Sequence, residues 1–153
     1  MAQTTVEGVE GVLAKVGQHL GHSDWVEITQ EQVNQFAEAT HDHQWIHVDV
    51  ERAKKESPFG GPIAHGYLTL SLVSALSAQI IEAKGFRMGV NYGAEKIRFP
   101  APVPVGGRVR ASATLDAATP FEGGVQLNLG VSIEVEGQTK PAMVASILFR
   151  RYV

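Results

Sequence analysis

The stretch YLTLSLVSALSAQII, residues 67–81, carries the most apolar helical pattern in the chain. Leucine or isoleucine recurs every four residues and so lies along one row of a helix, at Leu68, Leu72, Leu76 and Ile80. Further apolar side chains widen this row and alanines keep the rest of the surface small. We therefore expect a helix over residues 67–82 that is buried nearly all round, and Gly85 is expected to end it.

Beyond this helix the pattern changes to the alternation that is typical of strands. Apolar and polar residues alternate, or apolar residues run continuously, over residues 90–99, 109–116, 125–135 and 143–149. The last of these is apolar on both faces and predicts a central strand. Glycines at residues 123–124 and 136–137 predict hairpin turns. Helices followed by antiparallel strands indicate an α+β domain, in which a long curved sheet wraps around the apolar helix.

The first half of the chain predicts short elements. A helix over residues 9–16 is weakened by Gly8 and Gly11 and is expected to pack on the outside. A better helix follows a short strand near residue 26, because Thr29 and Gln32 form a capping-box pattern. It should fray near residue 40. Asp49 is placed to cap a further helix over residues 50–56.

Length and composition limit the classes of protein to consider. The 153 residues suit one domain, 1–153. A net charge of −3 offers no broad basic field to nucleic acid. Without cysteine the chain has no disulfide or thiol nucleophile, which fits a cytoplasmic location. The apolar run 67–81 is too short to span a bilayer, so we expect no membrane partner.

The stretch THDHQWIH, residues 40–47, concentrates the chemistry. Asp42 and His47 are five positions apart, which is about 140° around a helix and opposite faces of a strand. Only an irregular, turned segment brings the two side chains together, and Trp45 and Ile46 are suited to anchor such a turn. The pair would then hold a water between an acid and a base.

These residues resemble the MaoC-like hydratases with a hot-dog fold, the (R)-specific enoyl-CoA hydratase or hydratase 2 group. The residues that match the family motif are Phe36, Asp42, Ile46, His47 and Ala53. His41, Gln44 and Trp45 depart from it, standing where Gly, Asn and Pro are usual. The segments GPIAHG (61–66) and RFPAPV (98–103) also look like the family. The single-domain branch related to nodulation protein N looks nearest.

The resemblance implies reversible hydration of trans-2-enoyl-CoA to (R)-3-hydroxyacyl-CoA, a lyase reaction of fatty acid metabolism. It needs no metal and no cofactor, because the CoA thioester is the substrate. Asp42 is assigned as the base toward water and His47 as its partner, with burial near Trp45 expected to raise the pKa of the carboxyl. The family also implies a homodimer with the site near the subunit interface.

The thioester oxygen needs fixed donors, and the start of the apolar helix has N–H groups without partners. Gly66 is the predicted oxyanion donor. His65 and Trp45 are predicted near the substrate, although a helix-start packing role and a core anchor are the alternatives for them. The candidate basic side chains for binding the CoA phosphates are Arg87, Lys96 and Arg98.

Three alternatives compete with the hydratase. A hot-dog thioesterase usually carries an acid on the buried helix, and none lies between Gly66 and Ile81. A non-catalytic acyl-CoA-binding subunit would not need both members of the Asp42–His47 pair. A metal cluster of His41, His43 and His47 lacks a known zinc spacing.

Overall fold

The computed structural model describes residues 2–153. Its helices are α1 (Gly8–Leu13), α2 (Gln30–Thr40), α3 (Trp45–Val48), α4 (Val50–Glu56), α5 (Gly66–Ser71) and α6 (Val73–Ala78). Its strands are β1 (Thr4–Glu7), β2 (His19–His22), β3 (Val26–Glu27), β4 (Ile81–Lys84), β5 (Met88–Arg98), β6 (Arg108–Phe121), β7 (Gly124–Val135) and β8 (Met143–Tyr152).

The main sheet is antiparallel and runs in the order β2–β6–β7–β8–β5, with β3 pairing to β6 as well. β1 and β4 form a separate parallel pair. The predicted central strand, β8, lies between β7 and β5. This is the α+β hot-dog architecture that the sequence predicts.

The core lies between the sheet and the apolar helices. Every second residue of β7 is buried, because alternate side chains of a strand point to one face. The largest fully buried side chains of the sheet are Leu115, Leu127, Leu129, Ile133 and Met143. Leu68, Val73, Leu76 and Ile80 face them from the helical segment and belong to the same cluster. The helix therefore contributes one apolar face to the core.

The single long helix predicted over residues 67–82 is wrong in two respects. It is divided into α5 and α6 at Leu72, and it ends at Ala78, because the chain turns at residues 79–80 and enters β4. Gly85 thus follows a strand. The helix is also not buried all round, since Tyr67 is 71% exposed and the face bearing Ser74 and Ala78 is open. This face carries serine and alanine, and such small side chains are tolerated at exposed positions as well as in a core.

Helix α1 packs on the outside of the domain, as predicted. Val12 is fully buried in the core, whereas the other residues of α1 are partly buried or exposed. Capping follows the prediction in α2 and α4, where the side chains of Thr29 and Asp49 accept from the N–H groups of Gln32 and Arg52. No helix in residues 2–153 is long and apolar enough to cross a membrane.

Strand β5 is the outermost strand on its side of the sheet and pairs with β8. Its residues are exposed apart from Ile97. Lys96 adopts a positive φ of 53°, within a register shift between Glu95 and Arg98. The strand therefore offers an open edge that is interrupted near its C-terminal end.

Candidate active site

The segment after α2 presents the carboxylate of Asp42. α2 ends because His41 adopts a left-handed conformation, with φ of 63°, which turns the chain away from the helix axis. Asp42 Oδ1 then accepts from the N–H of Gln44 at 3.3 Å, a short-range bond typical of aspartate in turns. The carboxylate is thus held at the exposed rim of the segment.

His47 lies in the single turn of α3, and its backbone is fixed from two sides. Gln30 Nε2 donates to the carbonyl of His47 at 2.8 Å, and the N–H of Ile63 donates to the carbonyl of Ile46 at 3.0 Å. The His47 Nδ1 lies 2.6 Å from the carbonyl oxygen of Ile63. A carbonyl only accepts, so Nδ1 carries the proton and Nε2 is left with a free lone pair.

His65 immediately precedes α5 and supports both members of the pair. Its Nε2 donates to the backbone carbonyl of Asp42 at 3.0 Å. Its ring stacks on that of His47, with centroids 3.9 Å apart and an angle of 23° between the ring planes. The centroid of the Phe36 ring lies 4.9 Å from that of His65. His65 Nδ1 is buried and has no hydrogen-bond partner in the described chain.

The irregular segment therefore brings Asp42 and His47 together. A carboxylate oxygen of Asp42 and one ring nitrogen each of His47 and His65 all lie within 4.8 Å of one another. The imidazoles are buried, with 6% and 2% of their surface exposed. Asp42 is exposed, so the expected burial of its carboxyl beside Trp45 is wrong.

The same three groups are suitable metal ligands by residue type. Each imidazole lone pair lies in its own ring plane, however, and two rings stacked at 3.9 Å do not aim their lone pairs at one ion. The alternative cluster of His41 and His43 with His47 does not form, because His43 pairs with Glu38 at 2.7 Å on the surface. A metal-free site stays our prediction.

Burial controls the protonation of His47. Desolvation lowers the pKa of His47 below its usual 6.5, and the electrostatic interaction with His65 lowers it further. The Ile63 carbonyl and the Asp42 carboxylate act in the opposite direction and are weaker. His47 is therefore a neutral imidazole near neutral pH, with Nε2 able to accept a hydrogen bond.

Gly66 is the first residue of α5, so its N–H has no partner within the helix. A cavity of about 250 Å³ lies beside it and is lined largely by apolar residues, among them Phe59, Ile63 and Phe99. A Cβ at Gly66 would approach the Phe99 ring to 3.3 Å. Glycine thus leaves room for the ring to cover the helix start.

The structure gives positions for the remaining predicted residues. Trp45 is half-buried, and the guanidinium of Arg52 lies 4.2 Å from the centroid of its ring, so Arg52 covers part of the ring surface. Arg87, Lys96 and Arg98 are exposed on or beside β5.

Three contributions to the site are not predictable from residue types. The Ile63 carbonyl fixes the tautomer of His47, but a backbone group leaves no signal in the sequence. The Phe99 ring lies beside Gly66, and the bond from His65 to the Asp42 backbone depends on tertiary structure.

Comparison with known proteins decides the family. The family model for the MaoC like domain matches residues 12–136. The chain belongs to the MaoC-like domain family. It is 52% identical over 147 residues to 3-hydroxyacyl-thioester dehydratase Z of Mycobacterium tuberculosis, covering 95% of this chain and 97% of the relative.

Two further relatives support the same placement. Nodulation protein N of Rhizobium leguminosarum bv. viciae is 45% identical over 138 residues, covering 88% of this chain and 85% of that protein. The solved structure of the (R)-hydratase from A. caviae involved in PHA biosynthesis has a TM-score of 0.71 and 27% identity, covering 88% and 94% of the two chains. Both the predicted resemblance and the hot-dog fold are thereby confirmed.

Proposed function

We propose that this MaoC-like protein is a hydratase and dehydratase of acyl thioesters, a lyase of fatty acid metabolism. Its finer reaction is the reversible (R)-specific hydration of trans-2-enoyl-CoA to (R)-3-hydroxyacyl-CoA. The dehydratase Z relative and the (R)-hydratase structure support this class of reaction. The observation that carries the proposal is the short distance between the Asp42 carboxylate and the His47 imidazole. Because Nδ1 of His47 bonds to the Ile63 carbonyl, its Nε2 is free to accept a hydrogen bond.

This arrangement suits the binding of one water. The Asp42 carboxylate and the His47 Nε2 are both hydrogen-bond acceptors. A water between them donates one O–H to each, so its oxygen lone pairs point away from the pair and toward a substrate. The protein thus orients the nucleophile before the reaction begins.

In hydration, the water oxygen forms a bond to the β-carbon of the enoyl thioester and the carbon–carbon π electrons move toward the thioester carbonyl. One proton of the water passes to the pair and is then delivered to the α-carbon, so the elements of water add across the double bond. Asp42 and His47 share this proton transfer. The Gly66 N–H stabilises the enolate-like oxygen.

The cavity beside Gly66 suits the apolar part of this substrate, since it is lined mainly by aliphatic and aromatic residues. His65 would act through Asp42, whose backbone carbonyl it holds. Trp45 stays a predicted neighbour of the substrate. The CoA carrier arrives with the substrate, and no other cofactor is needed.

A direct assay tests this function. The protein is mixed with crotonyl-CoA and with a longer trans-2-enoyl-CoA, while loss of the conjugated thioester absorbance and release of free CoA are followed in parallel. Loss of absorbance without CoA release is expected, and chiral analysis of the product should give the (R)-alcohol. Release of CoA would instead identify a thioesterase, and no reaction with either thioester would favour a binding subunit.

We further propose a homodimer formed through β5. This strand is an open edge with exposed apolar side chains, Met88, Val90 and Tyr92, and an unpaired edge readily adds a strand from another chain. Sedimentation velocity of the purified chain should give the mass of a dimer. Replacing Val90 with Lys should shift the protein toward monomer, whereas a monomeric parent chain would contradict the proposal.

A further inference from the structure

A second cavity lies between the sheet and the far end of the helical segment. It has a volume of about 340 Å³ and includes Arg151 of β8 in its lining. Its neighbours on the helix are Ser74, Ser77 and Ala78. Ala78 is twelve residues beyond Gly66 in the chain, so this cavity lies at the opposite end of the α5–α6 segment from the start of α5.

Arg151 is a charged group without a counter-charge. Its Nε is buried and has no hydrogen-bond partner, and no carboxylate within residues 2–153 forms an ion pair with it. Burial lowers the pKa of the Arg151 guanidinium. The Arg151 side chain is half-buried, and its buried Nε still lacks an acceptor, so the cavity offers a place where an anion could be held.

The adjacent Arg150 of the same strand, in contrast, has interaction partners for its guanidinium. Its guanidinium lies 3.5 Å above the ring of Tyr92, and its Nε donates to Gln126 at 3.1 Å. Arg150 and Arg151 are consecutive and therefore point to opposite faces of the sheet. Only the one that faces the helices lacks partners.

The walls of the cavity are built to receive an anion with an apolar body. Gly89 makes room for the guanidinium, because a Cβ there would come within 2.5 Å of Arg151 Nη1. The Ser74 hydroxyl donates to Asn91 Oδ1 at 3.4 Å, which leaves the Asn91 amide N–H₂ as a further donor. Beyond these polar groups the lining is apolar, with Leu127, Leu129 and Phe149.

We propose that this cavity binds an aliphatic carboxylate, whose two oxygens are held by Arg151 and Asn91 and whose hydrocarbon part packs on the apolar wall. A guanidinium matches the planar carboxylate in a bidentate arrangement. The volume lies in the range of small-molecule sites. The carboxylate belongs either to a free organic acid or to the distal end of an acyl chain on a thioester.

The first experiment addresses the free acid. Isothermal titration calorimetry of the full chain with hexanoate, and with hexanamide as the neutral analogue, compares the parent protein with Arg151→Gln and Arg150→Gln. Saturable hexanoate binding is expected in the parent and in R150Q, and at least about tenfold weaker binding in R151Q. Hexanamide should bind poorly to all three. Ser74→Leu fills the cavity and keeps Arg151, and it should also abolish hexanoate binding. This variant tests the cavity even if R151Q fails to fold.

The second experiment addresses the acyl chain and rests on the proposed function. The kcat and KM are measured for a trans-2-enoyl-CoA whose acyl chain ends in a carboxylate and for the methyl-terminated equivalent. If the acyl chain supplies the carboxylate, R151Q raises KM for the first substrate about tenfold and leaves the second unchanged, while R150Q changes neither. Failure to hydrate either thioester would reject the proposed function, and the calorimetry would still decide on the cavity.

The proposal is overturned if neither hexanoate affinity nor KM depends on Arg151. One such outcome has a clear structural meaning. If R151Q only weakens self-association in sedimentation experiments, then a carboxylate from a second copy of the chain is the partner of Arg151 and the cavity is part of an interface.

Discussion

Nitrogen-bearing side chains lie near both ends of the α5–α6 segment, buried imidazoles at one end and the half-buried Arg151 at the other. At the Gly66 end, His47 and His65 each donate to a backbone carbonyl, and burial keeps His47 neutral. At the Ala78 end, Arg151 retains a charge that nothing in the described chain balances. The first end is prearranged by the protein itself, whereas the second needs an external group. The predictions below test whether the two ends are independent.

The largest effect should come from the Asp42–His47 pair. Asp42→Asn removes the negative charge and His47→Gln removes the imidazole, so neither variant side chain can take a proton from the water. We therefore expect kcat for enoyl-CoA hydration to fall by at least about 10²-fold, with hexanoate binding at the other end unchanged. His43→Ala is the matched control, because His43 lies in the same segment and pairs with Glu38 at the surface. Near-full activity in either variant would remove that residue from its role.

Gly66→Ala should have the next largest effect. The added Cβ meets the Phe99 ring at 3.3 Å, so either the ring or the helix start must move, and a displaced oxyanion donor costs roughly tenfold to a hundredfold in kcat. Adding Phe99→Ala should restore part of the rate. A double variant as slow as G66A alone would show that ring contact is not the cause.

His65→Phe tests a positioning role. The ring still stacks, but the bond from Nε2 to the Asp42 carbonyl is lost, and we expect about a tenfold lower kcat with little change in KM. Because His65 helps to lower the pKa of His47, the acid limb of the pH–rate profile should move to higher pH. An unmoved limb together with a normal rate would reduce His65 to a packing residue.

The smallest effect concerns stability and pH. The pKa of His47 is lower in the native chain than its usual 6.5, so below that pH the unfolded state binds more protons and the free energy of unfolding falls. Urea denaturation at about pH 5 and about pH 8 should show that the free energy of unfolding falls more at acid pH in the parent than in H47Q. Equal losses would contradict burial as the cause.

The sequence predicts the structure correctly where a residue pattern is compatible with only one backbone conformation. The offset between Asp42 and His47 excludes convergence on one regular helix or strand, so backbone geometry required a turned segment, while the family resemblance implied that the two residues form a pair. The alternation in β6 to β8 similarly specified the buried face of the sheet. The division of the long helix was not predictable, because Leu72 continues the apolar row and its local backbone is set by packing against the sheet.

Other features depend on neighbours that residue types do not reveal. Arg150 and Arg151 are identical in type and adjacent, and the register of β8 decides which one stacks on Tyr92 and which one lines the cavity beside the helix. The exposure of Asp42 was mispredicted, and the Trp45 ring contacts Arg52. Side-chain direction in short, irregular segments is set by tertiary contacts rather than by local pattern.

The carbonyl bonds that hold the two imidazoles also determine the stereochemistry we expect of the reaction. With Nδ1 of His47 bonded to the Ile63 carbonyl and Nε2 of His65 bonded to the Asp42 carbonyl, Nε2 is the nitrogen of His47 that is left to exchange a proton with the bound water. Hydroxyl and hydrogen should then reach the double bond from the same side. Hydration in heavy water is accordingly expected to yield a single syn diastereomer labelled at the α-carbon.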